Sequence, residues 1–212
     1  MSLVDIHLPP DPTLPHDVRE FIREAERRVE RYRKQYGPPA FVPSDFAAAY
    51  AALRALDTAD VAPGRWFCEW GSGFGVTACL AALLGFEACG IETESELVEA
   101  ARRLADDFDI PVQFVRGNFL PAGSAERAGD LGEFSWLAVD GPCGYEALGL
   151  DPEDFGVVYA YPWPDEEHFT AQVFDRCARS GAVLATFHGG DAVRLRRKTG
   201  RTSRRRATDR PH

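Results

Sequence analysis

The stretch FCEWGSGFGVTACL, Phe67 to Leu80, decides the fold. Arg65 to Trp70 is apolar after its first residue except for Glu69, as in a buried strand, and Val76 to Leu84 runs largely apolar up to Gly85, as in a helix packed on a sheet. Gly71, Gly73 and Gly75 form the bend between them. Such a bend turns backbone N–H groups toward an anion. Glu69 stands two residues before it, at the strand's end and aimed toward the same pocket. A diphosphate would meet like-charge repulsion there, strongest where water is excluded. The dinucleotide pattern G-x-G-x-x-G would also need glycine at position 76, which holds Val76. The bend therefore suits a ligand that carries positive charge beside an anionic group.

Working outward, the chain alternates strand and helix. Phe86 to Glu92 reads as a second strand. Thr93 and Glu96 form a capping box for a helix with Leu97, Val98, Ala101, Leu104, Ala105 and Phe108 on its inner stripe. Pro111 to Arg116 is a third strand, followed by Gly117-Asn118-Phe119. Two segments compete for the fourth: Phe134 to Pro142, and Asp154 to Phe169, which passes through Pro-Trp-Pro into a helix over Asp165 to Arg179. The second is preferred because a helix and another strand, AVLATFH after Gly181, follow it. The first then falls in an insertion, Gly123 to Phe155, placed as a flap over the site. Upstream, an extended Pro- and Asp-rich lead-in precedes an amphipathic helix over Asp17 to Tyr36, and Ser44 caps a second helix with Phe46, Tyr50, Leu53 and Leu56. The expected fold is a Rossmann-like α/β three-layer sandwich around a mainly parallel sheet.

The 212 residues suffice for one core without disulfides. They divide into an N-terminal helical lid or cap (1–60), a ligand-binding domain (61–198) and a basic, disordered tail (199–212). No apolar run approaches a membrane span, and the opening lacks a signal core, so the expected location is cytoplasmic. Five widely spaced cysteines without C-x-x-C pairs read as reduced thiols, and no metal-ligating spacing is present. The net charge of −9 is uneven, since nine Arg or Lys stand against one acid from Ala192 onward. The acidic body disfavours a broad nucleic-acid footprint and leaves the basic tail as the one candidate contact. Oligomeric state is not encoded in any motif.

A positively charged partner for Glu69 is supplied by S-adenosylmethionine, which carries an α-ammonium, a sulfonium and a carboxylate for the bend. Glu92, 21 residues past Gly71, is placed to accept from a ribose diol. A nicotinamide cofactor would also use that acid, but Glu69 and Val76 oppose it. Residues 65 to 119 resemble the cofactor half of the class I S-adenosylmethionine-dependent methyltransferases, whose acid-x-G-x-G-x-G signature is matched by Glu69, Gly71, Gly73 and Gly75. Their ribose acid matches Glu92, and their loop after the third strand matches Gly117-Asn118-Phe119. The resemblance implies that Asn118 bonds the adenine amine and that Phe119 or a neighbour packs on its ring. Trp70, Ser72, Thr93 and Tyr161 complete the expected cofactor-binding set.

On the acceptor side, Tyr161-Pro162-Trp163 only partly resembles the N-P-P-Y turn of members that methylate amino groups, lacking its leading Asn or Asp, so that substrate class is not carried over. Tyr161 and Trp163 are expected to wall the acceptor, with Asp165, Glu166, Glu167 and His168 nearby and His188 as a base. The family also closes its sheet with an antiparallel strand after the fifth. Here Ala192 to Arg196 has length for one strand, which suggests a truncated edge. The expected function is methyl transfer to an unidentified acceptor; the alternative is a cofactor-binding protein without turnover.

Overall fold

A computed structural model describes residues 2–9, 11–36, 42–121, 141–163, 166–189 and 193–200. The elements run β1 (Leu3–Ile6), α1 (His16–Tyr36), α2 (Phe46–Ala59), β2 (Trp66–Trp70), α3 (Val76–Leu83), β3 (Glu87–Glu92) and α4 (Ser95–Asp107). They continue with β4 (Val112–Arg116), α5 (Gly144–Leu148), β5 (Val157–Ala160), α6 (Glu167–Cys177), β6 (Val183–Phe187) and β7 (Val193–Lys198). One seven-stranded sheet has the order β4-β3-β2-β5-β6-β7-β1. It is parallel from β4 through β6. β7 lies antiparallel to β6, and β1 antiparallel to β7.

Strand addition runs from β2 outward to β4, then restarts on the other side of β2 with β5 and β6. That reversal opens a crevice at the carboxyl ends of β2 and β5, where ligands of open α/β sheets bind. The preferred fourth strand, Val157–Ala160, is the one that occupies this position.

The two faces of the sheet bury separate clusters. Phe67, Tyr159, Val183 and Phe187 lie on one face with residues of α1 to α4. Cys68, Trp70, Ile91 and Leu184 lie on the other with α5 and α6. This alternation is the period of two that a strand imposes. The α1 stripe Val18, Phe21, Ile22, Ala25 and Val29 is buried as its spacing predicts, and α2 packs on α3. All the cysteines are free thiols, with Cys68, Cys79 and Cys89 buried.

Several local expectations are corrected. The lead-in contains β1, which fills the edge beyond β7 through the register Leu3↔Lys198 to Ile6↔Leu195. The C-terminal segment supplies a single closing strand, and the opposite end of the chain supplies its neighbour, so the edge is not truncated. Arg194 to Lys198 accordingly belong to β7, where Arg194 donates to both carboxylate oxygens of Asp5 at 2.8 and 3.0 Å. Asp45, not Ser44, caps α2, because its carboxylate reaches Ala48 N–H at 2.9 Å. Thr93 does not cap α4, which starts after Glu94 with no side-chain cap bond; the Thr93 amide and hydroxyl turn back to Glu92 instead. Of the proposed flap, the structure describes residues 141–155, with Tyr145, Leu148 and Phe155 buried in the second cluster. Residues 122–140, the helix start at 164–165 and the tail from 201 lie outside the described residues.

Candidate functional site

Gly71, Gly73 and Gly75 all have left-handed backbones, with φ of 65°, 52° and 67°. Only glycine adopts that region without strain. Gly71 N–H and Ser72 N–H donate to Ile91 C=O at 2.9 and 3.0 Å, which ties the turn to β3. The glycines then differ in purpose. A Cβ on Gly75 would lie 2.3 Å from the Phe114 ring, so its missing side chain makes room for core packing. A Cβ on Gly71 would meet nothing within 4 Å, so that residue faces open space.

Glu69 is 6% exposed and does point inward behind the turn. One of its oxygens accepts Ala78 N–H of the first turn of α3 at 2.9 Å. Burial pushes its carboxyl up to about 8; the Ala78 N–H and the nearby Thr77 hydroxyl pull the other way, and Glu92 adds a like-charge push. Glu92 is also buried, and its carboxylate is well supplied with donors. Gly73 N–H reaches one oxygen at 2.8 Å, while Thr93 N–H and Glu94 N–H reach the other at 2.7 and 3.0 Å. Glu92 thus fixes the turn as well as facing it.

The remaining expected residues separate into groups. Trp70 sits on the opposite face from Glu69, stacked on Phe119 with centroids 4.7 Å apart, so its indole belongs to the second core cluster. Asn118 Oδ1 accepts Leu120 N–H at 3.0 Å and Nδ2 donates to Gly141 C=O at 3.2 Å, which holds the loop after β4 against residues 141–144. Tyr161 and Trp163, at the end of β5, are 36% and 38% exposed, and Tyr161 meets Phe187 edge-on. His188, after β6, has its Nδ1 2.6 Å from the Glu167 carboxylate and its Nε2 2.7 Å from the Thr186 hydroxyl. His168 instead pairs with Gln172 along α6.

Sequence reading missed Thr77, Tyr159, Phe74 and Tyr32. The hydroxyls of Ser72, Thr77 and Tyr159 are buried, with Thr77 lying beside both Glu69 and Tyr159. Tyr159 is paired in register with Glu69 across β2 and β5, which sets both side chains on one face. Tyr32 of α1 meets Phe74 of the turn at 5.3 Å, and burial together with Glu96, Glu94 and Glu92 raises its phenol. Phe74 and Thr77 were in view within the motif itself. Tyr32 was not, because its approach depends on how α1 docks.

Among solved structures, the chain resembles an RNA methyltransferase from Salinibacter ruber in complex with S-adenosyl-L-homocysteine, at 20% identity and TM-score 0.50 over 74% of this chain and 93% of that one. It also resembles a methyltransferase from Geobacter sulfurreducens, at 14% identity and TM-score 0.52 over 87% and 98%. The chain therefore has the Rossmann-like α/β fold of these two methyltransferases. No family model and no curated protein sequence matches it. Among the described residues, no helix is long and apolar enough to cross a membrane.

Proposed function

We propose that this protein transfers a methyl group from S-adenosylmethionine to a protic acceptor. One observation carries the reading: a buried acid behind a turn of three left-handed glycines, with a second acid bound to the turn's own amide, all at the sheet's switch point. The residues fit the group, since Gly71 faces open space and Glu69 is buried behind the turn with the Thr77 hydroxyl beside it. When bound, S-adenosylmethionine supplies an electrophilic methyl with a neutral thioether as its leaving group.

The chain's residues then have separable tasks. Glu69 faces the ammonium end, the glycine turn with Ser72 accommodates the methionine part, and Glu92 with Thr93 takes the ribose hydroxyls. Asn118 and Phe119 serve the adenine end. Tyr161 and Trp163 bound the acceptor, and their exposed rings suit a flat or cationic group. His188 takes the acceptor's proton at Nε2, while Glu167 holds the opposite nitrogen in its protonated form. To act, Nε2 must exchange its Thr186 contact for the acceptor. The N-terminal helices bring Tyr32 over the turn on the adenosine side.

Titration calorimetry with S-adenosylhomocysteine tests the binding half, and transfer of labelled methyl to fractionated cell extract tests the reaction. Binding below 100 μM together with a labelled product is expected. Binding without label in any fraction would identify a cofactor-binding protein without turnover, and absence of binding would overturn the reading.

A further inference from the structure

Every second residue of β7 from Arg194 onward is basic, so Arg194, Arg196 and Lys198 stand in a row on one face of the sheet. Arg196 is in register with Leu184 of β6, a member of the second core cluster, which puts the row on the α6 side. The two ends of the row are provided for. Arg194 donates to both oxygens of Asp5, and Lys198 Nζ donates to Ala178 C=O at the end of α6. Arg196, between them, is not. It is 9% exposed, and its Nε and Nη2 are buried with no hydrogen-bond partner.

The charged groups that act on this guanidinium are Arg194 on its own strand, Asp5 on β1 and Glu167 at the start of α6. Both acids are engaged elsewhere, Asp5 with Arg194 and Glu167 with His188 Nδ1 at 2.6 Å. Among the described residues neither forms an ion pair with Arg196. Burial, and after it the like charge of Arg194, work against the cation. Native interiors rarely keep a charged group at that depth without a partner, so the arrangement points to a counterion that comes from outside the chain.

Its place in the fold says what that counterion serves. Thr186, in register with Arg194, contacts His188 Nε2, and Phe187, in register with Val193, meets Tyr161 edge-on. The start of β7 therefore borders the half of the crevice assigned to the acceptor. Glu167 links the two, since it acts on Arg196 and holds the imidazole.

We propose that Arg196 is the anion-binding group of the acceptor site, and that the methyl acceptor carries a carboxylate or phosphate which takes the free Nε and Nη2 donors. The inference rests on the methyltransferase reading and names its substrate class: an acidic acceptor, with a planar part against Tyr161 and Trp163. Nε and Nη2 form the side of a guanidinium that matches two oxygens of one oxyanion. The guanidinium positions the acceptor and takes no part in the transfer; the acceptor's proton still goes to His188, and the C–S bonding pair stays on sulfur.

The test begins with thermal unfolding of the full chain in phosphate and in sodium chloride of equal ionic strength, with Arg196→Met beside wild type. For a site with a dissociation constant of about 5 mM, wild type should gain roughly 3–6 °C from about 50 mM phosphate. Arg196→Met should show only the rise common to any excluded salt, and in chloride it should unfold no earlier than wild type, because it loses an unpaired buried charge. Both should bind S-adenosylhomocysteine equally in calorimetry. With labelled methyl and cell extract, the wild-type product should be retained on an anion exchanger at neutral pH, and Arg196→Met should lower labelling on the order of tenfold or more. An equal phosphate response in both proteins, or a variant that unfolds well below wild type in chloride, would overturn the site and make Arg196 structural. A phosphate response confined to wild type, with a labelled product that passes through the exchanger, would overturn the acceptor assignment and leave a site for a free anion. Failure of folded wild type to bind S-adenosylhomocysteine would instead overturn the methyltransferase reading, and with it the acceptor assignment.

Discussion

The two halves of the crevice are built differently. The half at β2 and β3 is made of backbone: three left-handed glycines, amides anchored on Ile91 C=O, and two buried acids tied to main-chain N–H groups. The half at β5 and β6 is made of side chains: Tyr161 and Trp163 exposed to solvent, and an imidazole held between Glu167 and Thr186. A backbone site tolerates little substitution because its geometry is part of the fold. A side-chain site can be altered residue by residue while the sheet beneath it stands. One half thus suits a fixed ligand, and the other a partner that differs from protein to protein.

That contrast can be broken by mutation. Gly73→Val puts a branched side chain on a backbone with φ of 52°, and S-adenosylhomocysteine binding should fall below detection by calorimetry in the folded variant. Retained affinity would dissolve the distinction between the halves. His188→Gln should lower kcat by about 10²–10⁴ while leaving the S-adenosylhomocysteine dissociation constant unchanged. Single-turnover kinetics with the identified acceptor would show it, and a loss of cofactor affinity would mean that the halves are coupled.

Glu92→Ala should weaken binding by about 1–3 kcal/mol and also destabilise the fold, since it frees the Gly73, Thr93 and Glu94 amides. Urea denaturation beside calorimetry separates the two losses. Glu69 gives the ligand-free protein a pH dependence of defined sign. Its folded pKa lies above the ordinary carboxylate value, so its contribution is intact below about pH 4.5 and is lost as pH rises through about 8. The slope attributable to this group is about 1.4 kcal/mol per pH unit inside that window, and Glu69→Gln should remove it in denaturation curves. Trp163→Ala should be mildest, raising KM by a few fold, in line with roughly 0.5–1 kcal/mol for an exposed aromatic contact.

The same division explains what could be read from the chain. The glycine turn and both acids were legible because their spacing is local: Glu69, Gly71 and Glu92 fall at the ends of successive strands. The choice of Val157–Ala160 as a strand was legible from the helix and strand after it. The pairing of His188 with Glu167 was not, since it joins the end of β6 to the start of α6 and follows from the parallel crossover. Tyr159 looks like an ordinary strand residue until the register of β5 on β2 sets it beside Glu69, and Thr77 like an ordinary helix residue until the turn brings the start of α3 against that acid. Asp45 replaced Ser44 because two capping residues in succession differ only in which one reaches the third helical amide. β1 stayed hidden because four residues among prolines carry little periodicity, and its partner lies nearly the whole chain away.

That distant partner has a consequence for how the protein is made. Thr199 N–H donates to Ser2 C=O at 2.7 Å, and the ladder from Leu3 to Ile6 needs residues 195 to 198. During synthesis, Val4 and its neighbours leave the ribosome with no strand to join until β7 has followed them. Docking of β1 is therefore a late folding step, set by one of the longest loop closures in the chain. Until then the outer rim of β7 is unpaired backbone, open to a neighbouring copy.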